Sequence, residues 1–116
     1  MPATTSEQVA EAYFRAWENN DIERVRPLLH PDVDFAGALG STRGAEETLK
    51  GLAGMFAMTR QVKVIKRWTD GPDVLTWFEL STSAAGPVPV VNWSHVEDGV
   101  ITRIRVTFDP RPILQA

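Results

Sequence analysis

A chain of 116 residues, 43% of them hydrophobic, with a net charge of -3, holds one domain around one apolar core. Acidic and basic residues are interspersed, so no positive block is available to neutralise a phosphate backbone, and nucleic acid is not an expected partner. The absence of cysteine excludes disulfides, thiol nucleophiles, iron–sulfur clusters and thiolate zinc sites, and no segment approaches the ~18 to 20 uninterrupted apolar residues of a membrane span.

Met1-Pro2-Ala3-Thr4-Thr5-Ser6-Glu7 has neither a basic stretch nor an apolar core, and the expectation is a cytoplasmic protein. Thr5-Ser6-Glu7-Gln8 then has the spacing of a capping box ahead of Val9, Tyr13, Ala16 and Trp17, which predicts a helix over Ser6 to Glu18. Asn19-Asn20-Asp21 supplies turn and cap residues, and Ile22, Val25 and Leu29 suggest a short second helix, irregular in its last turn because of Pro27. His30-Pro31-Asp32 breaks it, leaving His30 as a C-cap or surface residue, and Val33 and Phe35 alternate with Asp34 in a brief strand. Residues 37 to 44 read as a loop. Ala45, Leu49, Leu52, Met55, Phe56 and Met58 form the apolar stripe of a third helix ending near Thr59.

Strand patterns follow over Val62 to Thr69, Val74 to Ser83, Val88 to Glu97 and Val100 to Phe108, separated by Asp70-Gly71-Pro72-Asp73, Gly86-Pro87 and Asp98-Gly99. Helices first and strands after indicate a single α+β domain, residues 1–116, with three helices packed on one face of a curved antiparallel sheet.

Three segments resemble a known superfamily: residues 12–21 (AYFRAWENND), residues 28–35 (LLHPDVDF), and residues 97–101 (EDGVI) running on to 108–112 (FDPRP). They are similar to SnoaL-like polyketide cyclases, ketosteroid isomerases and limonene epoxide hydrolases of the nuclear transport factor 2-like superfamily. The resemblance implies a cone-shaped α+β barrel around an apolar pocket, a homodimer, and acid–base chemistry on a small molecule. It equates Tyr13 with the oxyanion-binding tyrosine of the isomerases and Asn92 with their protonated carboxylic acid, while Gly37 stands where their general base would be. The epoxide hydrolase set is also broken: Phe35 and Gly37 replace its tyrosine and asparagine, Trp77-Phe78-Glu79-Leu80 falls near its arginine–aspartate pair, and Val106 replaces its last-strand aspartate.

Alternation sends Ile104, Val106 and Phe108 to the core face of the last strand, and Arg103, Arg105 and Thr107 to the other. Asn92 shares a face with Val88, Val90 and Ser94, and is either a ligand contact or a structural hydrogen-bonder; His95 lies opposite, beside Trp93, as an interface or surface residue. Glu79 shares its face with Trp77. Inside an apolar cone it would serve as acid/base with a raised pKa; on the outer face it would be a solvated carboxylate. Asp34 alternates outward and reads as structural. Candidate ligand-binding residues are Trp17, Phe35, Met55, Phe56, Trp77, Val90, Val106 and Phe108, with Trp68, Trp93 and Met58 as further large side chains for a pocket, the core or a dimer interface.

Two histidines on different elements leave no metal site in prospect, and the glycines around residue 37 lack the lysine and helix of a phosphate-cradling loop, so no cofactor is expected. These readings give an enzyme of isomerase, cyclase or dehydratase type on an apolar cyclic or polyketide-like molecule, with Glu79, Tyr13 and Asn92 as its catalytic set. The alternatives are a non-catalytic binder of an apolar ligand and a dimerisation module. Trp93, Val91 and Phe78 are the sheet residues that a homodimer would cover.

Overall fold

The computed structural model describes residues 5–114; residues 1–4, on which the leader reading partly rests, lie outside the described residues. Thr5 caps α1 (Ser6–Glu18) as the sequence predicts: its hydroxyl accepts from the Gln8 N–H, and the Gln8 side chain accepts from the Thr5 N–H. The helix ends at Asn19, and Asn20 turns the chain away in the left-handed region at φ 51°.

The expected second helix does not form. Two single 3₁₀ turns, Ile22–Arg24 and Arg26–Leu28, take its place, and Leu29 already belongs to a strand. Pro27 has no N–H to continue an α-helical ladder, and Asp21 pairs with Arg24 at 2.9 Å instead of capping. His30 is therefore not a helix cap; its Nδ1 accepts from the Asp32 N–H at 2.9 Å.

The strands are β1 (Leu29–Gly37), β2 (Gly40–Arg43), β3 (Thr59–Asp70), β4 (Asp73–Thr82), β5 (Val88–Glu97) and β6 (Val100–Thr107), with α2 (Ala45–Met58) between β2 and β3 and a short α3 (Arg111–Leu114) at the end. The segment expected to be a loop, residues 37 to 44, is half of a β1–β2 hairpin. The six strands form one sheet in the order β2-β1-β6-β5-β4-β3, open at β2 and β3. Its neighbours are antiparallel except β1 and β6, which run parallel, so the sheet is mixed rather than wholly antiparallel. The β5–β6 turn is the Asp98-Gly99 turn read from sequence, with φ of 51° and 80° at the two central residues, as a type I′ hairpin requires.

α1 crosses the concave face of β3, β4 and β5, and α2 covers β1 and β2. What fixes α1 there is an aromatic cluster. Phe14 meets Phe78 edge-on at 5.0 Å, Trp17 meets Phe78 edge-on at 5.3 Å, and Trp17 stacks on Phe56 at 5.5 Å with the ring planes 7° apart. Each buried ring stabilises the fold by about 1.5–3 kcal/mol. No helix among the described residues is long and apolar enough to cross a membrane.

Candidate functional site

Between the concave sheet face and the two helices lies a cavity of about 400 Å³. α1 contributes Tyr13 and Trp17, the β1–β2 hairpin contributes Phe35 to Thr42 apart from Ala36, and α2 contributes Thr48, Gly51, Leu52, Met55 and Met58. Leu80, Val90, Asn92, Val106 and Phe108 complete the wall. Of the residues predicted to bind a ligand, Trp17, Phe35, Met55, Val90, Val106 and Phe108 line it, as do Tyr13 and Asn92.

Phe56 and Trp77 do not line the cavity. Phe56 lies a further 100° around α2 from Met55 and is spent on the Trp17 stack. Trp77 is 44% exposed on the outer sheet face, and Trp68 and Trp93 are exposed there too, so Trp17 alone of the four tryptophans reaches the cavity.

Glu79 must also be moved out of the site. Phe78 and Leu80 point inward and alternation turns Glu79 outward, where it stands opposite Lys63 of β3 and Pro89 of β5. The β4–β5 register makes Glu79 and Asn92 mutually exclusive, because Asn92 pairs with Thr76 and so shares a face with Phe78 and Leu80. Among the described residues, no Asp, Glu, His, Lys or Arg lines the cavity, and no three His, Cys, Asp or Glu side chains gather elsewhere as metal ligands.

The polar groups of the cavity are therefore neutral. Asn92 is 1% exposed; its Oδ1 accepts from the Ser94 hydroxyl at 3.0 Å, while its Nδ2 has no hydrogen-bond partner among the described residues. An orphaned buried donor costs about 1–3 kcal/mol, and such groups are rare in native proteins. Tyr13 is equally buried, its hydroxyl has no partner among the described residues, and burial pushes its phenol above the ordinary value of 10.0. It is a neutral donor throughout the physiological range. The Trp17 indole, by contrast, is occupied: it donates to the Thr59 hydroxyl at 2.9 Å, which in turn donates to the Met55 carbonyl.

Gly37 lines the cavity without a side chain, and a Cβ there would stand 3.2 Å from the Phe35 ring and 3.6 Å from Val106. Sequence reasoning missed Thr42 and Thr48, whose hydroxyls bond each other at 2.8 Å: the β1–β2 hairpin that carries Thr42 was read as a loop, and only the apolar residues of the α2 stripe were assigned inward. On the outer face, Asp34 is structural: it receives the Arg105 guanidinium at 3.2 Å. Asp73 Oδ1 lies 2.6 Å from His95 Nδ1 and accepts from the Trp93 indole at 2.8 Å, contacts that lower its pKa.

The SnoaL-like domain model matches residues 10–104. The chain belongs to this family. A protein from Kribbella flavida is similar over 97% of this chain and 92% of its own, at 22% identity and a TM-score of 0.89. An LEH-like epoxide hydrolase from M. tuberculosis, 26% identical, is similar over 97% of this chain and 89% of its own, with a TM-score of 0.79. A steroid delta-isomerase from Pseudomonas aeruginosa, 18% identical, is similar over 95% and 83%, with a TM-score of 0.82. No match was found among the curated proteins. The SnoaL-like fold of this chain is thus related to that of isomerases and epoxide hydrolases.

Tyr13 is the only tyrosine, so a tyrosinate absorbance titration reads that one group. Because its folded pKa is raised, the unfolded chain releases the proton first; stability from this group is intact below pH 10.0 and falls as pH rises beyond it. Tyrosinate absorbance is expected to appear only together with loss of the native circular dichroism. Ionisation near pH 10.0 in the intact fold would show that the phenol is solvated.

Proposed function

We propose that this domain binds a neutral, apolar, cyclic small molecule and holds a carbonyl oxygen of it through the Asn92 amide and the Tyr13 hydroxyl. The observation that carries the reading is the Nδ2 of Asn92, unpartnered among the described residues, in a wall that holds no charged side chain. A ligand oxygen there relieves the cost of the orphaned donor, and in a low-dielectric cavity both hydrogen bonds are stronger than in water. Shape and polarity agree, since pockets of roughly 300–1,000 Å³ with apolar walls and few polar groups suit ligands of this kind. The steroid delta-isomerase and epoxide hydrolase relatives are named for reactions on small molecules, which is consistent with such a ligand.

Binding is favoured over protein acid–base catalysis because the lining supplies no carboxylate or histidine to take a proton. One observation favours a catalytic reading: the same two donors would stabilise an enolate oxygen, so a substrate that carries its own proton acceptor could be isomerised, cyclised or dehydrated here. The probe is 2-acetylnaphthalene, with 2-ethylnaphthalene lacking the oxygen, titrated calorimetrically. The ketone should bind more tightly than the hydrocarbon, and Asn92→Leu should weaken the ketone about tenfold while leaving the hydrocarbon nearly unchanged. In D₂O, protein-accelerated exchange of the α-protons of 1-(2-pyridyl)propan-2-one, a ketone that carries its own proton acceptor, would support the catalytic reading, and its absence the binding one. Equal affinity for ketone and hydrocarbon would overturn both.

We further propose that two copies associate through the outer sheet face. Trp68, Leu75, Trp77 and Trp93 are exposed together there across β3, β4 and β5, more large apolar surface than a free sheet face ordinarily leaves to water. Charge across β3 and β4 supports a second copy as the occupant: Arg60, Lys63 and Lys66 of β3 outnumber Glu79 of β4 toward one end, and Asp70 of β3 with Asp73 of β4 lies at the other, so antiparallel stacking of two copies sets opposite charges against each other. Sedimentation equilibrium should give a dimer at micromolar concentration that Trp93→Lys converts to a folded monomer. A wild-type monomer throughout that range would contradict it.

A further inference from the structure

Five side chains of the cavity wall carry side-chain polar atoms of oxygen or amide type, and they fall on two sides. Tyr13 of α1 and Asn92 of β5 stand on one side, and Ser41 and Thr42 of β2 with Thr48 of α2 on the other. The sheet order β2-β1-β6-β5 puts three strand spacings between Thr42 and Asn92, roughly 14 Å measured along the sheet at about 4.8 Å each. Apolar side chains, among them Phe35 and Val106, occupy the surface between.

The hydroxyls of Thr42 and Thr48 bond each other at 2.8 Å, and Thr48 is 1% exposed. Two hydroxyls carry two hydrogens, and the bond between them uses one. The second is uncommitted among the described residues, and the oxygens of the pair keep lone pairs free to accept. We propose that this pair is a second polar pole of the cavity, and that within the ligand class above, on which this inference rests, the site selects molecules with a hydroxyl group at the end remote from the carbonyl. A ligand hydroxyl both donates and accepts, which matches a threonine pair that offers one hydrogen and spare lone pairs. A ligand carboxylate, phosphate or amine finds no opposite charge among the described lining residues and is disfavoured on desolvation.

The test compares 2-acetylnaphthalene with 6-hydroxy-2-acetylnaphthalene by calorimetry on the full chain. The hydroxylated ketone should bind wild type several-fold more tightly. In Thr48→Val, which keeps the side-chain volume, that advantage should vanish while the affinity for 2-acetylnaphthalene is retained; Thr42→Val should behave alike and serves if Thr48→Val does not fold. In Asn92→Leu both ketones should weaken in parallel, with the hydroxyl advantage kept. No advantage in wild type, or one untouched by both threonine variants, overturns the second pole. If Asn92→Leu weakens neither ketone, the carbonyl reading fails, and the hydroxyl comparison in the threonine variants still decides the second pole.

Discussion

An amide hydrogen on Asn92 that nothing among the described residues accepts is the constraint around which the rest of the site is organised. It sits where water is scarce, on a side chain held from behind by the Ser94 hydroxyl, so it cannot turn away to satisfy itself without breaking that bond. Tyr13 adds a second neutral donor, held in its protonated form by the same burial that makes the cavity apolar. A site so built offers hydrogen bonds without offering charge, and with no Asp, Glu, His, Lys or Arg among its described walls it has no protein base to take a proton.

The sheet makes this arrangement possible by giving its two faces different tasks. On the concave face, Phe78 anchors Phe14 and Trp17, and Trp17 carries the stack on to Phe56, so α1 is fixed at the depth that places Tyr13 in the cavity wall. The outer face carries Trp77 and Trp93 and the Asp73–His95 pair, and Arg105 ties β6 to Asp34 of β1. Alternation along β4 and β5 keeps the two sets apart one residue at a time, which is why Glu79 can lie next to two inward side chains in sequence and still be excluded from the cavity.

Much of this was legible before the fold was known. The capping box set the start of α1, Asp98-Gly99 set the β5–β6 turn, and alternation placed Val106 and Phe108 on the inner face and grouped Asn92 with Val90. The face of Glu79 was not legible, because β4 carries apolar residues on both faces and only its pairing with β5 decides between them. Residues 37 to 44 lack alternating apolar side chains, so the hairpin that brings in Thr42 left no periodic signal. In β3 the register shifts between Val64 and Lys66, which turns Arg67 inward onto Thr76 at 3.0 Å and over the Phe14 ring. No propensity pattern in that strand foretells such a bulge. The resemblance to ketosteroid isomerases found Tyr13 and Asn92, and it could not show that the remaining walls would be free of charge.

The most direct measurement is the infrared carbonyl stretch of 2-acetylnaphthalene bound to the protein. A hydrogen-bonded carbonyl is weakened, so the band should fall to lower frequency than in hexane, and Asn92→Leu should return it most of the way, with Tyr13→Phe accounting for the remainder. A bound ketone with a hexane-like stretch, or a lowered stretch indifferent to Asn92→Leu, would contradict the account.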